Sequence, residues 1–269
     1  MSAGATRTET SWDVLLRWER FHRQHAPVDF RRWKRASQRA LRELFPGPRV
    51  RVLDATAGLG DHSVNLAELG FEVTAGDASA VAREATADLA HAAGVTIEVA
   101  ELRWETVGQE RPAAFDLVFH DALHWIEEPE AMQATLSSLR ATLRPDGALA
   151  FFFADPRDPG EGAGERVRRW DLEHLARHEL AWRHELAGDG HVSHIVVRAP
   201  TEDAIEEHHV FLVDGAAGAS LETAVLRRIY RWDLRAMRAA CARAGFREVQ
   251  GHLFTNDKGH ETAMCLARV

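Results

Sequence analysis

The sequence predicts an α/β fold: an open, mostly parallel sheet covered by helices on both faces, with an N-terminal helical cap and a small antiparallel lid insert. Three observations carry that reading. Short apolar segments alternate with helical ones from Val50 to Asp155, the rhythm of consecutive βαβ units. The turn Asp54-Ala55-Thr56-Ala57-Gly58-Leu59-Gly60 joins the first strand segment to its helix. The rhythm then breaks at Pro156, Pro159, Gly160, Gly162 and Gly164, and a helical pattern returns only after Asp233.

In chain order, residues 8–44 read as helical. Trp12, Leu15, Trp18 and Phe21 recur at every third position, an apolar stripe expected to face the core, with a substrate box the alternative for Trp12, Trp18 and Phe21, and Phe45-Pro46-Gly47-Pro48 ends the pattern. Strands follow at 50–56, 71–77, 95–101, 115–121 and 148–155, with helices over Asp61–Leu69, Ser79–Ala93 and Pro129–Leu143. Beyond the breakers, residues 178–187 admit two readings: the first strand of a hairpin with 191–199, or the extension of a helix from Glu165. The alternation of apolar residues on both sides of Gly188-Asp189-Gly190 favours the hairpin. Two more strands are expected at 206–214 and 222–232. Asp233 is a candidate N-cap for a helix that Gly245 ends, and two strands complete the chain. The expected organisation is a single domain over 1–269. It comprises a cap (8–45), a core (46–160 and 233–269) and a lid (161–232).

Composition narrows the function classes. The 269 residues carry a formal net charge of −8, which argues against nucleic acid as the main partner. No apolar run approaches the ~20 residues of a spanning helix, and the N-terminus lacks the apolar stretch of a signal peptide. Cys241 and Cys265 form no metal or disulfide pattern, as expected in a reducing compartment. A cytoplasmic protein without membrane contact is the expectation. His184, His191, His194, His208 and His209 crowd the lid beside Trp182, yet show no compact ligand spacing, so no metal is expected.

The glycine turn suits close approach of a ligand to the backbone, because the following helix presents unpaired N–H groups. Asp77 ends the second strand about 20 residues on, where a carboxylate can accept both hydroxyls of a ribose. The dinucleotide form G-x-G-x-x-G is met in neither register, since Ser63 stands in the third glycine position after Gly58-x-Gly60 and Thr56 in the first before Gly58. Glu101 ends the third strand. It is placed either to accept from an adenine amino group or to be a solvated strand-end charge.

Together, the segments WDVLLRWERF (12–21), RVLDATAGLGDHSVNLAELGFEVTAGDAS (51–79), VAELRW (99–104) and Asp155-Pro156-Arg157-Asp158 carry a resemblance. The chain resembles the class I S-adenosylmethionine (SAM)-dependent methyltransferases, and among them the glycine/sarcosine N-methyltransferases. The likeness covers roughly 10–160 and, more loosely, 244–246. It implies a Rossmann-like class I sheet and SAM as cofactor. It places Asp54, Ala55, Thr56, Ala57, Gly58 and Gly60 around the methionine part. Asp77, with Ala78 and Ser79, falls at the ribose, Glu101 and Leu102 at the adenine, and His120 beside the methyl end. Thr56 replaces a frequent glycine and Leu102 a frequent aromatic residue, while Tyr230 is the one tyrosine.

On the acceptor side, His120, Asp121 and His124 follow the fourth strand and are candidates to orient or deprotonate the nucleophile. Each has a packing alternative. Arg157 matches an arginine that resembles a carboxylate clamp, a task suited to a planar guanidinium. The expected activity is methyl transfer to the nitrogen of a small amine or amino-acid-like acceptor. Alternatives are O- or C-methylation of a secondary metabolite, or a SAM-binding scaffold without turnover. An RNA or DNA methyltransferase is disfavoured by the acidic balance and by the lack of an Asn-Pro-Pro-Tyr-type step after Phe119. The resemblance also leaves room for a homo-oligomer, with the N-terminal segment closing over its own or a neighbour's site.

Overall fold

The computed structural model describes residues 9–152, 163–175, 177–186, 190–215, 218–255 and 261–269. The cap opens with a reciprocal capping box: Asp13 N–H donates to Thr10 Oγ1 and Thr10 N–H to Asp13 Oδ2. That starts helix α1 (Ser11–His25), which stops before Pro27; a 3-10 turn (Phe30–Lys34) leads into α2 (Arg35–Leu44). The core then alternates β1 (Arg51–Asp54), α3 (Asp61–Glu68), β2 (Glu72–Asp77), α4 (Ala80–Ala93), β3 (Glu98–Glu101), α5 (Val107–Glu110), β4 (Phe115–His120), α6 (Pro129–Thr142) and β5 (Leu143–Phe151).

After α7 (Ala163–His174) come β6 (His178–Glu185), β7 (His191–Pro200), β8 (Ala204–Gly215) and β9 (Gly218–Ile229). Helix α8 (Leu234–Arg243), β10 (Glu248–Thr255) and β11 (Glu261–Arg268) return to the core. The larger sheet has the order β10-β11-β5-β4-β1-β2-β3. Strands β1 to β5 are parallel and β11 is antiparallel to β5. Successive strands run outward from β1 in one direction and from β4 in the other, so the β1/β4 boundary is the switch point where such sheets bind ligands.

Alternation along each strand divides the core into two layers. Leu53, Val118 and Leu149 pack with Met132, Leu136 and Leu139 of α6 and Met237 of α8. Val52, Leu117 and Ala148 pack with Leu41 of α2 and Leu66 of α3. The lid is a separate antiparallel sheet, β6-β7-β8-β9. It joins the core through Trp232 Nε1–H, which donates to Ile126 O at 2.6 Å, and through an Arg227–Glu127 ion pair. Arg228 and the Tyr230 hydroxyl both donate to buried Asp171 of α7, each at 2.9 Å.

The sheet layout, hairpin, insert and Asp233 cap match the sequence expectation, with Asp233 accepting from Ala236 N–H at 3.0 Å. Several details differ. The two readings at 165–187 are both present in part: α7 ends at His174 and β6 begins at His178, so the hairpin does not displace the helix. Strand β5 begins at Leu143 and not at Ala148, because Leu143 already pairs with Phe115 before an irregularity re-registers the strand. The last lid strand starts earlier and ends at Ile229, leaving Tyr230 and Trp232 in the turn toward α8. Four-residue α5 and the 3-10 turn Leu123–Trp125 are too short to show a period.

Candidate active site

A cavity of about 410 Å³ opens at the C-terminal ends of β1, β2, β3 and β4, roofed by the start of α1. Thr56, Gly58, Asp77, Ala78, Ser79 and Leu102 line one end. Trp104, Asp121, Ala122 and Trp125 line the other, under Thr10, Trp12 and Leu16.

The first end is made by the β1–α3 turn. Gly58 and Gly60 have φ of +52° and +88°, where a side chain is strained. At Gly60 a Cβ would also sit 2.9 Å from Thr86 Cα, so glycine is what lets α4 pack against the turn. Asp54, fully buried, takes the Ser63 hydroxyl at 2.6 Å and Thr56 N–H at 3.2 Å. Burial raises its carboxyl despite these bonds and the nearby His62. Asp54 therefore shapes the turn from beneath and does not line the cavity.

Asp77 does line it. Its Oδ2 accepts Gly58 N–H at 3.0 Å and its Oδ1 accepts Ser79 N–H at 2.8 Å, while burial pushes the carboxyl up against them. Each oxygen retains an accepting position. An aligned carboxylate with free lone pairs, next to a positive-φ glycine and the apolar Leu102, fits a nucleoside with a vicinal diol and a purine. These residues would hold SAM at its ribose and adenine.

The remaining candidates divide. Ala55 and Ala57 are buried in the turn: Ala55 O takes Trp104 Nε1–H at 2.6 Å and Ala57 N–H bonds Gly76 O. Glu101 corrects one expectation: it is exposed, paired with Arg83 at 3.1 Å, and absent from the cavity wall, leaving Leu102 as the residue of that strand end that faces in. His120 lies beneath the site with no exposed surface. Its Nδ1 accepts Ala122 N–H at 3.1 Å, so the proton sits on Nε2, and burial holds the ring near pKa about 3. A neutral ring with its lone pair already engaged is a donor and not a base. His124, also pushed down to about 4 by burial, sits behind Trp125 and outside the cavity wall.

Asp121 is the candidate that reaches the cavity on this side. Its N–H donates to Thr56 Oγ1 at 3.0 Å and its Oδ2 accepts from His62 Nε2 at 3.1 Å. Burial alone would raise the carboxyl, but the His62 bond and the positive charge nearby leave it at about 2. Arg157, with Asp155 and Asp158, lies outside the described residues.

Four contributors escaped the sequence reading. Trp12 belongs to the stripe assigned to the core, but it is 37% exposed and meets Trp125 edge-on at 5.6 Å over the cavity. Trp104 and Leu16 also line the cavity, and His62 is hidden inside the turn's own helix. A helical period reports a shared face, not what covers it. Elsewhere α1 does pack as expected: Trp18 stacks on Phe211 of the lid at 5.5 Å and donates to Glu222 at 3.0 Å. His22 stacks on Trp182 at 4.9 Å and bonds His184, and His194 pairs with His209 at 3.0 Å. His184, His194 and His209 thus serve the cap–lid seam, while His208 lies beside Glu206; among the described residues no group of three is arranged to hold a metal.

Comparison with known proteins agrees with this geometry. Residues 52–147 match the family model described as "Methyltransferase domain". A tRNA 5-carboxymethoxyuridine methyltransferase of Escherichia coli is 33% identical over 118 residues, 43% of this chain and 44% of that protein. A glycine/sarcosine N-methyltransferase of Halorhodospira halochloris is 26% identical over 141 residues, 51% of this chain and 48% of that protein. The chain thus spans about half the length of the curated relatives it matches. Among solved structures, the sugar N-methyltransferase KedS8 from Streptoalloteichus superposes with a TM-score of 0.66 at 18% identity, over 100% of this chain and 98% of that one. The SAM-bound amino pentose methyltransferase CalS10 from Micromonospora echinaspora gives 0.58 at 16% identity, over 99% of both chains. Residues 52–147 accordingly match a methyltransferase domain, and the chain has the fold of the methyltransferases it superposes on, with an antiparallel four-stranded lid.

Proposed function

We propose that this protein methylates the nitrogen of a small amine, of amino-acid-like or amino-sugar type. One observation carries the reading: an ionised carboxylate, Asp121, shares the acceptor end of the cavity with the indoles of Trp12 and Trp125. When bound, SAM supplies a methyl on a cationic sulfonium, so the donor needs no activation. As the new N–CH₃ bond forms and the S–CH₃ bond breaks, positive charge moves onto the acceptor nitrogen. A carboxylate at that end stabilises the growing charge, and aromatic faces add cation–π attraction of about 0.5–2 kcal/mol. Asp121 is too weak a base to take the proton from an ordinary ammonium. Its role is electrostatic, and the amine binds in its neutral form. An amine of lysine-like pKa is neutral about once in a few thousand molecules at pH 7, so turnover of such an acceptor rises with pH. The product ammonium then loses its proton to solvent. Support from known proteins is of the same kind: the matches named above include a glycine/sarcosine N-methyltransferase, and among solved structures a sugar N-methyltransferase and an amino pentose methyltransferase.

The apolar wall of Trp12, Leu16, Trp104 and Trp125 favours a second reading, O- or C-methylation of an apolar metabolite. A turnover screen separates the two. S-adenosylhomocysteine release is followed with purified protein, SAM and panels of amino acids, amino sugars, simple amines, phenols and apolar acids. Release with amines, increasing with pH, supports the proposal. Release confined to phenols or apolar acids transfers the function to the second reading.

A further inference from the structure

We propose that His62 is a positioning residue, whose Nε2–H fixes the Asp121 carboxylate toward the acceptor while Gln38 fixes the imidazole from behind. The proposal rests on the reading of Asp121 given above. Three segments distant in sequence build the arrangement. His62, on the first turn of α3, is buried with its ring 4.6 Å from that of Phe119. Its Nε2 meets Asp121 Oδ2 at 3.1 Å, and its Nδ1 meets the amide of fully buried Gln38 on α2. An ionised carboxylate only accepts, so Nε2 must carry the proton whatever the state of the ring. On the other side of the ring the buried Gln38 amide meets Nδ1 and ties the imidazole to the cap.

The surroundings isolate this pair. The neighbouring carboxylate, Asp61, is engaged by Arg23 at 2.7 Å and Lys34 at 3.6 Å. Asp54, on the other side, is bonded to Ser63 and Thr56. Around Asp121 itself the charged or titratable groups are His62, Lys34, His124 and buried His120. With Oδ2 occupied and the backbone N–H tied to Thr56, Oδ1 takes no hydrogen bond from the described residues and is the oxygen left for a ligand. The low carboxyl pKa, about 2 despite burial, agrees with a donor of this kind on Oδ2.

Two conservative variants test the idea, because they differ in reach. In His62→Gln the amide nitrogen extends to about where Nε2 sits and keeps the bond to Asp121. In His62→Asn it extends to about where Nδ1 sits, keeping Gln38 and losing Asp121. The expectation for His62→Asn is an acceptor KM raised about tenfold, the size of a lost bond to a charged group. The acid limb of its kcat/KM profile stays where the acceptor ammonium sets it, while the Asp121 carboxyl itself should titrate about one pH unit higher. His62→Gln should retain the wild-type KM and titration, and both variants should bind SAM normally by calorimetry. Carbon NMR of the Asp121 carboxyl in SAM-loaded protein gives a readout without any acceptor, rising in pKa in His62→Asn only. If the Asn and Gln variants share one acceptor KM and one Asp121 titration, the proposal is overturned. If no amine turns over but the NMR difference stands, the amine reading fails and the positioning role does not.

Discussion

The two ends of the cavity are built by opposite means. At the end proposed for the cofactor the groups are backbone amides and one carboxylate, Asp77, gathered from a turn and the next strand 19 residues apart. At the acceptor end they are side chains from remote segments: Trp12 from the cap, Asp121 and Trp125 after β4, with the lid seated on α1 behind them. A site made of backbone constrains sequence at a few glycines and one acid. A site made of side chains leaves substitution free to change what is bound. The first end is fixed by the reaction, the second by the substrate.

The largest effect that would break this division comes from Asp77→Ala. It removes the carboxylate proposed to accept the ribose hydroxyls and strips Gly58 and Ser79 N–H groups of their acceptor, each such charged bond contributing roughly 1.5–3 kcal/mol. SAM affinity by calorimetry should fall about a hundredfold, with the acceptor KM at saturating SAM little changed. An unaltered SAM affinity would remove Asp77 from the cofactor end. Trp12→Ala should do the converse on a smaller scale: acceptor KM up about tenfold through lost stacking and cation–π attraction, SAM affinity within about twofold. A parallel loss of both affinities would mean that the cap serves the whole cavity and that the two ends are not separable.

The extent to which this was legible follows the same line. The β1 turn, the position of Asp77 at the end of β2 and the alternation of strands with helices were readable because their signals are local: a strand, glycines, a helix start and an acid at fixed spacing. Trp12 was misread because α1 turns one part of its apolar stripe to the lid and another to the cavity. Periodicity cannot distinguish these surfaces. His62 was invisible as a functional group because its partners, Gln38 and Asp121, lie 24 and 59 residues away. Glu101 was ambiguous on pattern, and Arg83, one helical turn past Asp77, decided it by drawing the carboxylate outward.

The smallest predicted effect concerns the seam between cap and lid. His194 is buried against His209 and Trp182, and burial with the neighbouring histidine lowers its pKa to about 4. Because the folded value lies below that of the unfolded chain, its contribution is fully present above pH ~6.5 and is lost as pH falls toward about 4. His22, His184 and His209 shift in the same direction. Thermal unfolding should therefore show a Tm that drops between pH 7.5 and 5, and His194→Phe should shallow that drop by a few degrees. A slope untouched by the substitution would remove His194 from the groups that set the acid sensitivity.

One hydroxyl joins the two ends. Thr56 lines the cavity, donates its N–H to Asp54 and receives the N–H of Asp121 on Oγ1. Glycine at that position would leave the Asp121 amide without this acceptor. The turn that cradles one ligand and the strand end that meets the other therefore cannot move independently. Whatever factor the first ligand imposes on the affinity of the second, the second must return to the first. Titrations run in either order must yield the same number, and a random order of loading would still behave as a cooperative one.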